Sequence, residues 1–366
     1  MTQDPGRSGQ GDNILNDKFI AQKVEDASAK LKRASAEMGK ICFGQEDIIR
    51  LTMACMIAGG NVLAEGVPGV GKTNMISNLA TVMGLDFKRV QFTNDLMPAD
   101  IIGVEVLEED DTGKRKFRFI EGPLFTQFLM ADELNRASPK TQSALLEAMQ
   151  EHKVTSGGVT YKLPRPFQVM GTQNPGYEIG TNPLPAAQRD RFMMRIDYDY
   201  PDEEAERTLA LSTTGPSEDL VELYNKIARG EDLTQTASGK QKIALEPILG
   251  KYDLIAMQEL AKHLPVGQEV MNAALKLVRS LRPEKPEAPA FVRDAVELKG
   301  GPSPRTPQTF IAAARALALI DGRLAPNVND VKSIAIPVLQ HRIVMKRSRN
   351  PDETFRDLIS QMTATI

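Results

Sequence analysis

One stretch restricts this chain more than any other: Gly66-Val67-Pro68-Gly69-Val70-Gly71-Lys72-Thr73. It fits the pattern G-x-x-x-x-G-K-[ST]. Glycines let the backbone curl so that its N–H groups converge on a phosphate. Lys72 then reaches the β- and γ-phosphates, and Thr73 holds Mg²⁺. The flanks agree. Asn61–Ala64 reads as a short buried strand, and Ile76, Leu79, Ala80 and Met83 recur at helical spacing. Strand, loop and helix in that order put a phosphate at a helix N-terminus. Asn74, next along, completes the expected nucleotide contacts. A dinucleotide fingerprint is excluded locally, because Gly69-Val70-Gly71 is followed by Asn74 where G-x-G-x-x-G needs glycine.

A second element of the same chemistry lies downstream. Gln127–Glu133 is an apolar run ending in two carboxylates. At a strand end beside a phosphate loop, Asp132 can bind Mg²⁺ or its waters. Glu133 points elsewhere and can polarise a water for attack on the γ-phosphate. Ser138 suits a helix N-cap and Pro139 the first helical position, with Lys140–Glu151 following. Gln168–Gly171 reads as a further strand, and Asn174 just beyond it can orient the attacking water. Gln188–Phe192 supplies guanidinium groups. An arginine inserted from a neighbouring subunit stabilises charge developing in phosphoryl transfer, and Arg191 is the candidate. Arg305 precedes a strongly helical stretch and is expected to reach back to the nucleotide.

The rest of the chain sets the frame. With 366 residues, two domains are expected. Residues 1–15 are polar and Gly-rich and read as a disordered tail. Residues 16–200 alternate short apolar runs (also Lys88–Phe92 and Met193–Ile196) with helical segments, the rhythm of a parallel sheet covered by helices. Residues 201–366 read as helical, with Val270–Leu281 and Thr306–Ile320 the clearest patterns and loops at 212–218, 232–241 and 283–290. Val154–Phe167, with Gly157-Gly158 inside, reads as a hairpin. The net charge of −3 carries no nucleic-acid signature. Cys42 and Cys55 support neither a disulfide framework nor a zinc site. With no long apolar run and no signal pattern, a cytoplasmic protein is expected, without membrane insertion.

Taken together, these residues resemble the MoxR family of AAA+ ATPases. The run from Asp132 to Glu151 carries the resemblance most specifically. Glu65–Thr73, Gln91-Phe92-Thr93, Asp95–Pro98, Thr172–Pro175, Leu184-Pro185, Asp190-Arg191-Phe192 and Ser303-Pro304-Arg305 support it. The similarity covers about residues 30–345. It implies a P-loop α/β core with a parallel sheet, followed by a helical lid. Gly66–Thr73 corresponds to Walker A, Asp132 and Glu133 to Walker B, Asn174 to sensor 1, Arg191 to the arginine finger and Arg305 to sensor 2. Ile101–Gly122 resembles the insert of this clade, and the 154–167 hairpin its pre-sensor hairpin; in related rings both face the pore. Three positions depart from the family: Ala186 or Ala187 stands where an acidic residue is usual, Arg189 where an apolar one is, so that it competes with Arg191 for the finger role, and Pro302 where alanine is.

The resemblance implies an ATP- and Mg²⁺-dependent homo-oligomeric ring, a hexamer, with ATP between the α/β domain and the lid. Its work would be chaperone-like: remodelling or activating a client complex, or assembling it with metal, beside a partner carrying a von Willebrand factor A domain. The alternative is a nucleic-acid-directed motor or loader on the same core. That reading needs a basic stripe, and Lys114, Arg115, Lys116 and Arg118 are the only local cluster. They follow Glu108, Glu109, Asp110 and Asp111, so a solvated hairpin is expected instead. A nucleotide-gated scaffold without turnover is disfavoured by the intact Glu133.

Overall fold

The computed structural model describes residues 8–109, 115–174, 180–214, 224–225, 227–229, 244–347 and 350–366. Helix α1 (Ser8–Gly39) opens the chain. It enters the stretch expected to lack structure, whose first seven residues lie outside the described ones. The physical reason is propagation. Val24, Ala27, Leu31, Ala34 and Met38 are buried at alternating spacings of three and four, which anchors the helix. Each residue added to an anchored helix gains a hydrogen bond without a new nucleation cost.

Helix α2 (Glu46–Ile57) leads into β1 (Val62–Gly66), the phosphate loop and α3 (Lys72–Val82). Then come β2 (Phe87–Gln91), α4 (Pro98–Ile102), β3 (Gly103–Glu109), β4 (Arg115–Glu121) and β5 (Phe128–Asp132). Helix α5 (Pro139–Glu151) begins at Ser138, whose Oγ accepts from the N–H of Thr141 at 3.3 Å, the expected cap. The hairpin β6 (Lys153–Ser156) and β7 (Val159–Lys162), β8 (Gln168–Gln173), α6 (Ala186–Arg189) and β9 (Met194–Tyr198) complete the α/β part.

The five long-range strands form one parallel sheet in the order β2-β5-β8-β1-β9. Side chains alternate across it. Val62, Ala64, Phe128, Met130, Met170, Met194 and Ile196 join one apolar core. Leu63, Leu129, Ala131 and Val169 join the other, beneath Leu145, Leu146 and Met149 of α5. Both faces are covered, as parallel sheets require. The order places β1 where the chain reverses direction across the sheet, and ligands of open α/β sheets bind outside the carboxyl ends of strands at such a point.

Further helices are α7 (Glu203–Thr214), α8 (Lys251–His263), α9 (Gln268–Ser280), α10 (Ala290–Ala295), α11 (Thr306–Asp321), α12 (Val328–Ser333), α13 (Ala335–Leu339) and α14 (Pro351–Ala364). The expected boundary at Tyr200-Pro201 falls between β9 and α7, yet the first core runs on across it. Helix α11 packs on α1 and α2, and Ser28 Oγ donates to the carbonyl of Ile320 at 2.8 Å. The loop expected at 283–290 is present. That at 232–241 lies outside the described residues, and that at 212–218 begins within α7 before leaving them.

The β3–β4 pair and the β6–β7 pair are antiparallel hairpins beside the sheet. Phe119 of β4 stacks on Tyr161 of β7 with ring centroids 4.1 Å apart. Among the described residues, no helix is long and apolar enough to cross a membrane.

Candidate nucleotide site

The carboxyl edge of the sheet gathers the expected phosphate chemistry. Gly69 and Gly71 hold φ of +92° and +83°, with open space where a Cβ would stand. Their glycines therefore answer the backbone conformation. Gly66 has a different reason: a Cβ there would lie 2.3 Å from the carbonyl oxygen of Tyr198, so the first glycine of the motif lets β9 pack against β1. Gly71 caps α3 without a side-chain bond, which leaves the first-turn N–H groups of α3 for an anion.

Lys72 is buried, and its ammonium donates to the carbonyls of Gly66 and Val67. Burial pulls its pKa below the ordinary lysine value, and the charges of Asp132, Glu65 and Glu133 push it back up. Asp132 ends β5. Its Oδ1 accepts from Thr172 Oγ1 of β8, and its Oδ2 accepts from Arg89 Nε at 3.0 Å and Nη2 at 2.6 Å. Glu133 follows with φ of +53°, the left-handed region, so its side chain leaves the strand direction. Its N–H donates to Thr172 Oγ1 at 2.9 Å, and its carboxylate pairs with Arg136 Nε at 2.7 Å. The register pairs Glu65 with Gln173, so Asn174 emerges level with Gly66. Thr73 lies half-buried in the first turn of α3.

A cleft of about 280 Å³ adjoins the loop. Pro68–Gly71 and Asn74 form one wall, and Ile41, Cys42, Phe43, Tyr200, Ala205 and Leu209 form much of the other. Gln45 Nε2 donates to the carbonyl of Val70 at 3.2 Å, which ties this second wall to the phosphate loop. Sequence reasoning missed residues 41–45. The available signal was Gly44-Gln45 just ahead of α2, where Gly44 takes φ of +67°. Burial pushes the Cys42 thiol up to about 11, so it remains protonated at this wall.

The two candidate arginines lie at the opposite edge. Met193 N–H donates to the carbonyl of Asn61 at 2.8 Å, and Met194 pairs with Val62, so the segment before β9 sits at the amino end of β1. The length of β1 separates that end from the phosphate loop by about 16 Å. Arg191 is exposed there, with Nη1 donating to the carbonyl of Leu146 at 2.8 Å. Arg189, its competitor, is half-buried; its Nε is buried with no partner, and its pKa is lowered by burial and by Arg195. Arg305 shares a cleft of about 330 Å³ with Arg191, Gly59, Gly60 and Asn61. Arg305, expected to reach the nucleotide, thus lies at the amino edge, away from the phosphate loop of its own chain. Helix α11 begins at Arg305 and docks along α2, which runs into the amino end of β1 and not its carboxyl end.

Comparison with known proteins follows the same geometry. Residues 61–194 match the model of the ATPase family associated with various cellular activities, and residues 291–362 match an AAA lid domain. Chaperone MoxR1 of Mycobacterium tuberculosis is 38% identical over 331 residues, covering 90% of this chain and 79% of that protein. Protein MoxR of Paracoccus denitrificans is 30% identical over 339 residues, covering 90% and 92%. A crystal structure from Cytophaga hutchinsonii, provisionally described as an ATPase, superposes with a TM-score of 0.78 at 30% identity, covering 96% of this chain and 98% of that one.

Proposed function

This chain belongs to the MoxR family of AAA ATPases, and from that premise we propose that it hydrolyses ATP at the carboxyl edge of its sheet, within a homo-oligomeric ring. Gly66–Thr73 and Asn74 would hold the phosphates, with the base in the cleft walled by Ile41–Phe43. Thr73 and Asp132 suit Mg²⁺, being a hydroxyl and a carboxylate at the mouth of an anion-binding loop. The ion would neutralise charge on the phosphate oxygens when bound. Glu133 polarises the attacking water, and Asn174, level with Gly66, helps to orient it.

The observation that carries the ring is the placement of the arginines. Arg191 and Arg305 stand at the amino edge, away from the Lys72 of their own chain. From there both would act on the nucleotide of a neighbouring subunit, in a hexamer by family resemblance. The output is chaperone-like remodelling or activation of a client complex, metal-insertion assembly included, with a von Willebrand factor A domain protein as partner, in the cytoplasm. The nucleic-acid alternative loses ground at the hairpin. Arg115 pairs with Glu109 at 3.2 Å and Arg118 with Glu108 at 2.8 Å, so these cations are already neutralised. Steady-state phosphate release with Mg²⁺, together with the particle mass in ATP, tests the reading. We expect turnover by wild type, none by Lys72→Ala, and a ring mass. A monomer with undiminished turnover, or a Lys72→Ala protein as active as wild type, would overturn it.

A further inference from the structure

The turn after α13 carries three consecutive polar residues, Gln340, His341 and Arg342, and all three grip the chain entering β9. Gln340 Nε2 donates to the carbonyl of Arg195 at 2.7 Å. His341 Nε2 lies 3.0 Å from the carbonyl oxygen of Phe192. Arg342 donates through Nη2 to the carbonyl of Phe192 at 2.7 Å, through Nη1 to that of Met193 at 3.0 Å, and through Nε to Asp190 Oδ1 at 2.8 Å. Its Nη1 also donates to the carbonyl of Val338, within α13. The Arg342 side chain is only 2% exposed. A buried guanidinium is expensive unless its donors are met, and here the carboxylate of Asp190 and three carbonyls meet them.

The bonded groups flank one residue. Asp190 precedes Arg191, and Phe192 and Met193 follow it. Arg191 keeps an exposed side chain while the backbone on its far side is held by buried donors. The holding groups all come from the C-terminal helical region, some 150 residues further along the chain.

We propose that Gln340, His341 and Arg342 are positioning residues for Arg191, fixing the segment from which it crosses to the next subunit and tying that segment to α13. Movement of the C-terminal helices then moves the finger. This rests on the trans reading of Arg191 given above. Misplacing a group by about 1 Å can cost about 100-fold in rate, so loss of the clamp lowers turnover without touching the phosphate loop.

The test uses full-length Arg342→Gln, with Arg342→Lys alongside, since lysine keeps the charge and loses the fork. Binding of a fluorescent ATP analogue should match wild type, KM should hold, and kcat should fall about 100-fold. Mixed rings with Glu133→Gln subunits give the readout that a purely structural role would not move. There an undisturbed Arg191 from a Glu133→Gln subunit meets the intact Glu133 of an Arg342→Gln subunit, and activity should exceed that of either parent ring. Arg191→Ala mixed with Glu133→Gln is the reference. Rescue of the reference alone overturns the clamp. Failure of both, in confirmed mixed rings, overturns the trans reading and the clamp with it. Wild-type kcat in Arg342→Gln overturns the clamp, and so does loss of nucleotide binding in both Arg342 variants, which would make the residue a folding element only.

Discussion

The two edges of the central sheet differ in how their cations are engaged. At the carboxyl edge, Glu65, Asp132 and Glu133 surround Lys72. The guanidinium groups there are already engaged: Arg89 with Asp132, Arg136 with Glu133, and Arg195 with Glu65 and Asp197. At the amino edge, Arg191 donates to the carbonyl of Leu146, and Arg305 stands in the same cleft. A phosphoryl group in flight needs positive charge that is not already neutralised. One edge can grip a triphosphate, and the other carries the spare cations. The contrast is what the proposed ring would exploit, by completing the site where two copies meet.

The sharpest way to break this contrast is to remove one cation from each edge. Lys72→Ala should lose nucleotide binding and turnover together. Arg191→Ala should keep nucleotide binding and lose turnover by about 10³-fold or more, the scale of arginine fingers. Titration of a fluorescent nucleotide beside phosphate release reads the split. If Arg191→Ala also loses nucleotide affinity, the amino edge contributes to gripping and the division of labour between edges is wrong.

Glu133→Gln comes next in size. The amide keeps the shape but cannot take a proton, and general-base catalysis contributes roughly 10²–10⁴-fold. Turnover should drop on that scale while ATP stays bound, measured by nucleotide retained on the ring after gel filtration. Turnover at wild-type rate would remove Glu133 from the chemistry and leave Asp132 as the only acid acting there.

Legibility in the sequence followed range. The loop at Gly66–Thr73, the strand ending at Asp132 and the cap at Ser138 are local features, and local patterns expose them. Thr172 and Arg89 were not legible as partners of Asp132, because β5 pairs with β8 and β2, strands about 40 residues away in opposite directions. The position of Arg305 depends on where α11 docks, and nothing in residues 301–306 encodes that. Gly66 also answers to the approach of Tyr198, which only the pairing of β1 with β9 reveals. The grip of Gln340–Arg342 on the segment before β9 spans the chain, beyond the reach of any spacing rule.

The smallest effect sharpens the contrast through pH. His341 is fully buried at the amino edge. Burial first, then the cations of Arg342, Arg195 and Arg189, push its pKa well below 6.5, against the opposing bond to the carbonyl of Phe192. The folded protein therefore keeps the ring neutral in mild acid, while the unfolded chain binds a proton there. Above pH 6.5 the group contributes no pH dependence. Below it the unfolded state binds more protons, so stability falls as pH falls, by about 1.4 kcal/mol per unit from this group. His341→Gln keeps a donor for Phe192 and cannot titrate. Urea unfolding at pH 7.5 and 5.5 should show a pH-dependent loss in the variant smaller by roughly 1.4 kcal/mol than in wild type. An identical loss in both proteins would mean that His341 protonates freely when folded, and the low-dielectric setting argued for the clamp beside Arg191 would go with it.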